Sequence, residues 1–143
     1  MSRTSIVRSG FRYKRVLVGI PTYNGAERCR NLLTNMNAVS NSEELKSTLV
    51  LLDDGSPRVG HLEEMKRLCE QHNATLLAHG KNEGITASWN DLANFQPDAE
   101  FVVLLNDDVL LQPRWLENLV YFLENNECGA ASPNLLFCDP GDV

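Results

Sequence analysis

Three apolar runs in this chain stop abruptly at polar clusters, and that repeated pattern restricts the fold more than any other feature. Phe101-Val102-Val103-Leu104-Leu105 gives way to Asn106-Asp107-Asp108. Thr48-Leu49-Val50-Leu51-Leu52 gives way to Asp53-Asp54-Gly55, and Val16-Leu17-Val18-Gly19-Ile20 to Pro21-Thr22-Tyr23-Asn24. Short continuous apolar runs read as strands buried on both faces. Acids and amides placed directly after such strands gather at the carboxyl edge of an open sheet, where α/β folds hold their ligands. Three strands with polar ends therefore predict one shared cleft.

Between the runs the periodicity is helical. Cys29, Leu32, Leu33 and Met36 recur at i, i+3, i+4 and i+7, and Asn24 followed three residues later by Glu27 has the spacing of a capping box. Leu62, Met65, Leu68, Cys69 and His72 give a second stripe, with His72 read as a helix-end residue. A third helix is predicted over 85–95, with Ala87, Leu92 and Ala93 inward. A fourth carries Pro113 in its first turn, and Trp115, Leu116, Leu119, Val120 and Leu123 give it a wide apolar face. Residues 37–44 and 79–84 read as loops, 74–78 as a short strand, and 129–137 as a fifth strand or a pair of short ones. Glycine at position 19 marks close approach by another backbone or a ligand. Alternating strands and helices call for an α/β, Rossmann-like, mostly parallel sheet covered on both faces by right-handed crossovers.

A chain of 143 residues fits one domain. It is expected over 15–143, behind a flexible basic lead at 1–14. Arg3, Arg8, Arg12, Lys14 and Arg15 all precede the first acidic residue, Glu27, although the net charge is −6. An acidic body argues against nucleic acid as the main partner, while the basic lead offers a peripheral contact with anionic lipid or with a protein, or resembles a transit peptide. No apolar run is long enough to span a bilayer. Residues 1–15 lack the apolar middle of a signal peptide. A cytoplasmic location, at or near the inner face of the membrane, is the expectation. The cysteines at 29, 69, 128 and 138 form no CxxC pair, which argues against zinc. Cys29 and Cys69 fall on apolar helix faces as reduced thiols, and a Cys128–Cys138 bridge would need an oxidising compartment. Neither GxGxxG nor GxxxxGK[ST] is present, so a bound diphosphate needs another source of positive charge. One Asp-Asp pair would pass as ordinary loop chemistry. Two pairs, each directly after a buried strand, favour hard oxygen ligation of Mg²⁺ or Mn²⁺.

Pro21-Thr22-Tyr23-Asn24, Asp53-Asp54-Gly55-Ser56, Asn82-Glu83-Gly84 with Asn90 beyond it, and Asn106-Asp107-Asp108 occur in that order, each at a strand end or loop. Over about 15–137 the chain resembles the nucleotide-binding portion of a family 2 glycosyltransferase with the GT-A fold. The resemblance implies metal-dependent, inverting transfer of a sugar from a UDP- or dTDP-sugar to the hydroxyl of a glycan or lipid-linked acceptor, as in polysaccharide biosynthesis, with Mn²⁺ or Mg²⁺ as cofactor. It implies that Pro21, Thr22 and Tyr23 line the nucleoside pocket with Glu27 nearby, that Asp53 bonds the base and that Asp54 supports the ribose side. Lys81, Asn82 and Gly84 would lie where the family contacts the base or phosphates. Asn106 and Asp107 would face the donor, and Asp108 would be the metal ligand closing the DxD motif. Asn106 takes that motif's first position, where an amide can bond a ribose hydroxyl but carries no charge. With Val109 and Pro113-Arg114-Trp115-Leu116, this N-x-D form resembles the rhamnosyltransferase-like branch. In the family the catalytic base and acceptor pocket follow the metal motif. The sequence continues only 35 residues past Asp108, so no base is assigned and the acceptor half is expected to be missing. The alternative is a non-catalytic nucleotide-sugar-binding or interaction module. A phospho-acceptor receiver domain fits poorly, because the first strand ends in Pro21-Thr22-Tyr23-Asn24 and the third in His79-Gly80.

Overall fold

The computed structural model describes residues 13–39 and 44–136. Four parallel strands, β1 (Lys14–Thr22), β2 (Leu45–Asp53), β3 (Thr75–Ala78) and β4 (Phe101–Leu104), form one sheet in the order β3-β2-β1-β4. Helices α1 (Ala26–Val39), α2 (His61–Gln71), α3 (Ile85–Asn94) and α4 (Trp115–Asn125) alternate with them. The chain builds outward from β1 through β2 to β3, then crosses to the other side of β1 for β4. That reversal is the switch point beside which open α/β sheets form their ligand crevice.

The register carries the strand ends into this crevice. Thr22 pairs with Asp53, and Gly19 with Leu104. The ladder continues past the strands: Asp54 N–H donates to the Thr22 carbonyl, His79 N–H to the Asp53 carbonyl and Leu105 N–H to the Gly19 carbonyl, each at 2.9 Å. The polar residues that follow each strand are thus placed by the sheet itself.

Two-residue periodicity divides the sheet into two cores. Val16, Val18, Ile20 and Leu51 face α1, α2 and α4, meeting Cys29, Leu33, Met65, Leu68, Leu116 and Val120. Leu17, Val50 and Leu52 face the other way, against Leu92 of α3. The close approach at Gly19 comes from that leucine side chain and not from a backbone or a ligand, since a Cβ at position 19 would lie 2.9 Å from the Leu92 Cβ.

Several local readings are corrected. β4 is an edge strand, and Val102 and Leu104 remain 43% and 41% exposed. Asn24 does not cap α1. It takes a left-handed φ of 52°, its N–H donates to the Ser56 hydroxyl, and the first-turn bond runs from Cys29 N–H to the Gly25 carbonyl. α1 continues to Val39, so positions 37–39 of the expected loop are helical, and 40–43 lie outside the described residues. In α2 the buried stripe begins at His61, while Leu62 is 38% exposed. Pro113 lies ahead of α4, whose N-cap is Arg114 at φ 62°. Positions 129–136 contain no strand, and Phe137 and Cys138 lie outside the described residues. So do positions 1–12 of the basic lead, whereas Lys14 opens β1. Cys29 and Cys69 are buried free thiols and Cys128 is exposed. His72 closes α2 and meets Asn37 at 2.9 Å. Among the described residues no helix is long and apolar enough to cross a membrane.

The second core depends on one helical side chain. Leu92→Ala is expected to lower unfolding free energy by about 2–5 kcal/mol, read as a fall in the urea midpoint; an unchanged midpoint would show that α3 does not seal this face.

Candidate functional site

A cleft of about 400 Å³ opens at the switch point. The end of β1 contributes Pro21, Thr22 and Tyr23, and α1 contributes Arg28. Asp54 enters after β2, Asn82 and Gly84 from the loop after β3, Ile85 and Ser88 from α3, and Asn106, Asp107 and Asp108 after β4.

Asp54 is 5% exposed and its carboxylate is satisfied from several directions. Oδ1 accepts from the Glu83 N–H at 2.9 Å and faces His79 Nδ1 at 2.6 Å; Oδ2 accepts from the Gly84 N–H at 2.9 Å. The other ring nitrogen of His79, Nε2, lies 2.9 Å from Asp91 Oδ2 on α3. Burial opposes the Asp54 charge, but the His79 bond and the two backbone N–H groups outweigh it and hold the carboxyl below its usual range. The bonds to Asp54 and then Asp91 raise the His79 pKa against the opposing effect of burial. Gly55 lets the loop close on this turn. Its φ is +69°, and a Cβ there would fall 2.2 Å from the Lys81 carbonyl carbon.

Asp107 is held in a second cluster. The Thr22 hydroxyl donates to Oδ2 at 2.6 Å. Arg28 donates through Nε to Oδ1 and through Nη2 to Oδ2, both at 3.0 Å, and Nη2 also reaches the Tyr23 carbonyl at 3.2 Å. This two-pronged contact raises the Arg28 pKa. Asp108 and Asn106 are exposed beside it, and neither side chain has a hydrogen-bond or ion-pair partner among the described residues.

Asp53 faces away from the cleft. Its carboxylate accepts from His61 Nε2 at 3.0 Å, from the Ser56 N–H at 3.1 Å and from the Ser56 hydroxyl. His61 is fully buried and its Nδ1 meets Arg58 Nη2 at 3.3 Å. Arginine can only donate, so Nε2 carries the ring proton given to Asp53. Glu27 is exposed on α1, and Lys81 pairs with Glu83 at 3.7 Å; neither lines the cleft. Pro21, Thr22, Tyr23, Asp54, Asn82, Gly84, Asn106, Asp107 and Asp108 do come together. Sequence reasoning passed over Arg28, His61, His79, Ile85 and Ser88. His79 directly follows β3, so the strand-end rule that singled out the aspartates was also a signal for it.

Among the described residues no group of three or more His, Cys, Asp or Glu is placed to hold a metal ion. A single open carboxylate fits an ion whose remaining ligands are water and substrate phosphate, the usual arrangement for Mg²⁺.

A parallel sheet whose strand ends assemble such a cleft is a GT-A, Rossmann-like domain. Residues 17–143 match the glycosyl transferase family 2 model, and the chain belongs to that family. The mannosyltransferase PcManGT from Pyrobaculum calidifontis, solved in complex with GDP-Man and Mn²⁺, superposes with a TM-score of 0.69 at 26% identity, over 80% of this chain and 33% of that one. S. aureus TarS 1-349, solved in complex with UDP-GlcNAc, gives 0.65 at 18% identity, over 84% of this chain and 37% of that one, a likeness of fold. The chain thus spans about a third of the length of these structures. No curated protein sequence matches it.

Gly25 makes the Asp107 cluster sterically feasible. A Cβ there would lie 2.3 Å from both Asp107 Oδ2 and Thr22 Oγ1 and 2.7 Å from Arg28 Nη2. Gly25→Ala should cost about 1–3 kcal/mol of stability, the range for overpacking, and should displace Asp107, both visible in a denaturation curve and the Arg28 side-chain NMR signals. Unchanged signals would show that the three groups do not meet there.

Proposed function

We propose that this chain carries the donor- and metal-binding portion of an inverting glycosyltransferase that moves a sugar from a nucleoside diphosphate sugar to an acceptor hydroxyl. One observation carries the reading: Asp54 and Asp107 are neutralised within the protein, while Asp108 faces the same cleft with no hydrogen-bond or ion-pair partner among the described residues. That leaves one carboxylate for a Mn²⁺ or Mg²⁺ ion arriving with a diphosphate. Asp108 would hold the ion, with the Asn106 amide beside it for the ribose. When bound, such an ion acts as a Lewis acid that offsets the charge of the departing diphosphate. The Mn²⁺ and GDP-Man of the mannosyltransferase complex support a divalent ion and a nucleotide sugar here.

The cleft offers a second source of positive potential. α3 begins at the cleft with no acidic residue in its first turn, and Asp54 takes only the N–H groups of Glu83 and Gly84 just ahead of that turn. Its free N–H groups and dipole favour a diphosphate there, which answers the absence of a phosphate-binding glycine loop. Tyr23, 43% exposed, presents its ring to a base beside Pro21 and Thr22. Asp54 fixes the loop that contributes Asn82 and Gly84. Asp53 and Lys81 enter this reading through the turn and loop they belong to. The N-x-D form at Asn106 to Asp108 supports a rhamnosyltransferase-like dTDP- or UDP-sugar donor. A glycan or lipid-linked acceptor at the cytoplasmic face of a membrane, in polysaccharide biosynthesis, completes the proposal.

One observation favours the binding-only alternative for these 143 residues. With Asp108 given to the ion, both other cleft carboxylates among the described residues are tied, Asp54 to His79 and Asp107 to Arg28. Neither is free to take a proton from an acceptor. Sugar transfer by this chain alone would reject that alternative.

Calorimetry with UDP, GDP and dTDP, with and without Mn²⁺, tests the main reading. At least one nucleotide is expected to bind with a requirement for the ion. Asp108→Ala should weaken ion-dependent binding by roughly tenfold or more, a loss seen even for outer-sphere partners of a metal. Ion-dependent affinity that survives Asp108→Ala would reject Asp108 as the ligand.

A further inference from the structure

His79 does not line the cleft, yet it joins elements that do. Its side chain is 15% exposed. Its main-chain N–H is anchored on the Asp53 carbonyl, Nδ1 meets Asp54 and Nε2 meets Asp91 on α3. Asp54 in turn holds the N–H groups of Glu83 and Gly84, and Gly84 immediately precedes α3. One ring therefore ties the turn after β2 to the body of α3, while its carboxylate partner ties the same turn to that helix's start.

The charged groups around the ring are few. Asp54 faces it from the turn after β2, and Asp91 from α3. On its own loop, Lys81 and Glu83 pair with each other. The neighbouring Asp53 carboxylate is committed to Ser56 and His61. A neutral imidazole has one N–H, and only the doubly protonated ring can donate to both carboxylates. Loss of one proton must break the bond to Asp54 or the bond to Asp91.

We propose that His79 is a positioning residue for the donor site: its doubly hydrogen-bonded ring locks the 82–84 loop and α3 against Asp54, and loss of one ring proton loosens that wall and weakens nucleoside diphosphate binding. This rests on the donor-binding reading above. Because its partners raise the His79 pKa, the ring's contribution is complete below its ordinary value near 6.5 and fades as pH rises through the raised one. The Asp54 carboxyl is lowered, so its contribution is present above its ordinary value near 3.8 and fades as pH falls through the lowered one. The alkaline limb belongs to His79.

Hydrogen exchange by NMR on the ligand-free 143-residue chain tests the lock, with the His79 ring signal followed in the same samples. Protection factors of the Glu83 and Gly84 amides should fall by roughly tenfold or more as the ring loses its proton, the range for a bond to a charged group. Asp91→Asn, which leaves the Asp54 contact in place, should move the ring titration and the amide loss to lower pH together. Amides that ignore the ring, or a parallel loss at core amides such as Leu51, would overturn the proposal, the latter by showing general destabilisation. Binding of UDP, GDP and dTDP with Mn²⁺ should weaken over the same alkaline interval, and at lower pH in Asp91→Asn. Nucleotide binding indifferent to the ring's titration rejects the role of His79 alone. No nucleotide binding at any pH would sink the donor reading and the His79 role in binding with it, even if the amides follow the ring.

Discussion

A carboxylate buried at the end of a strand must find donors on every side, and the demands of Asp54 organise this domain's functional edge. Taking an unpaired charge out of water costs several kcal/mol. Its donors here come from the imidazole of His79 and the backbone of Glu83 and Gly84. Meeting that demand draws the loop after β3 over the end of β2 and fixes where α3 begins. Asp107 obeys the same rule with other partners, Thr22 and Arg28. With two of the three cleft aspartates answered inside the protein, the third stands apart by default.

Much of this was legible in the amino-acid order. The apolar runs located β1, β2 and β4, and the Cys29 to Met36 stripe located α1, because burial and periodicity are local signals. The edge position of β4 was not legible. Phe101 to Leu105 have one composition whether or not a neighbour covers Val102 and Leu104, and that neighbour is a matter of topology. Asn24 and Glu27 satisfied a capping pattern, but a distant hydroxyl, Ser56, claimed the Asn24 N–H instead. Leu62 and His61 both fitted a helical stripe; the polar one went inside because Asp53 waited there as an acceptor.

The paired aspartates show the same limit within the site. Successive residues on extended chain face opposite sides of a sheet. Asp53 accordingly turns toward α2 and Asp54 toward the α3 side, where the cleft lies. The sequence marked both acids as functional without saying which would face a ligand. Arg28 and His79 went unread because each matters only through an acid far away in the chain.

The two faces of the sheet are unequally loaded. Three helices buttress one side, and α3 serves the other through Leu92, seated in the gap left by Gly19. With a single apolar seat on the sheet, α3 relies on polar ties for the rest of its hold, at Asp91 and just ahead of its first turn at Gly84. Its first turn is a wall of the cleft, so the width of the opening rests on those few ties. The face with the least apolar packing is therefore the one that borders the cleft, and the well-packed face is the frame behind it.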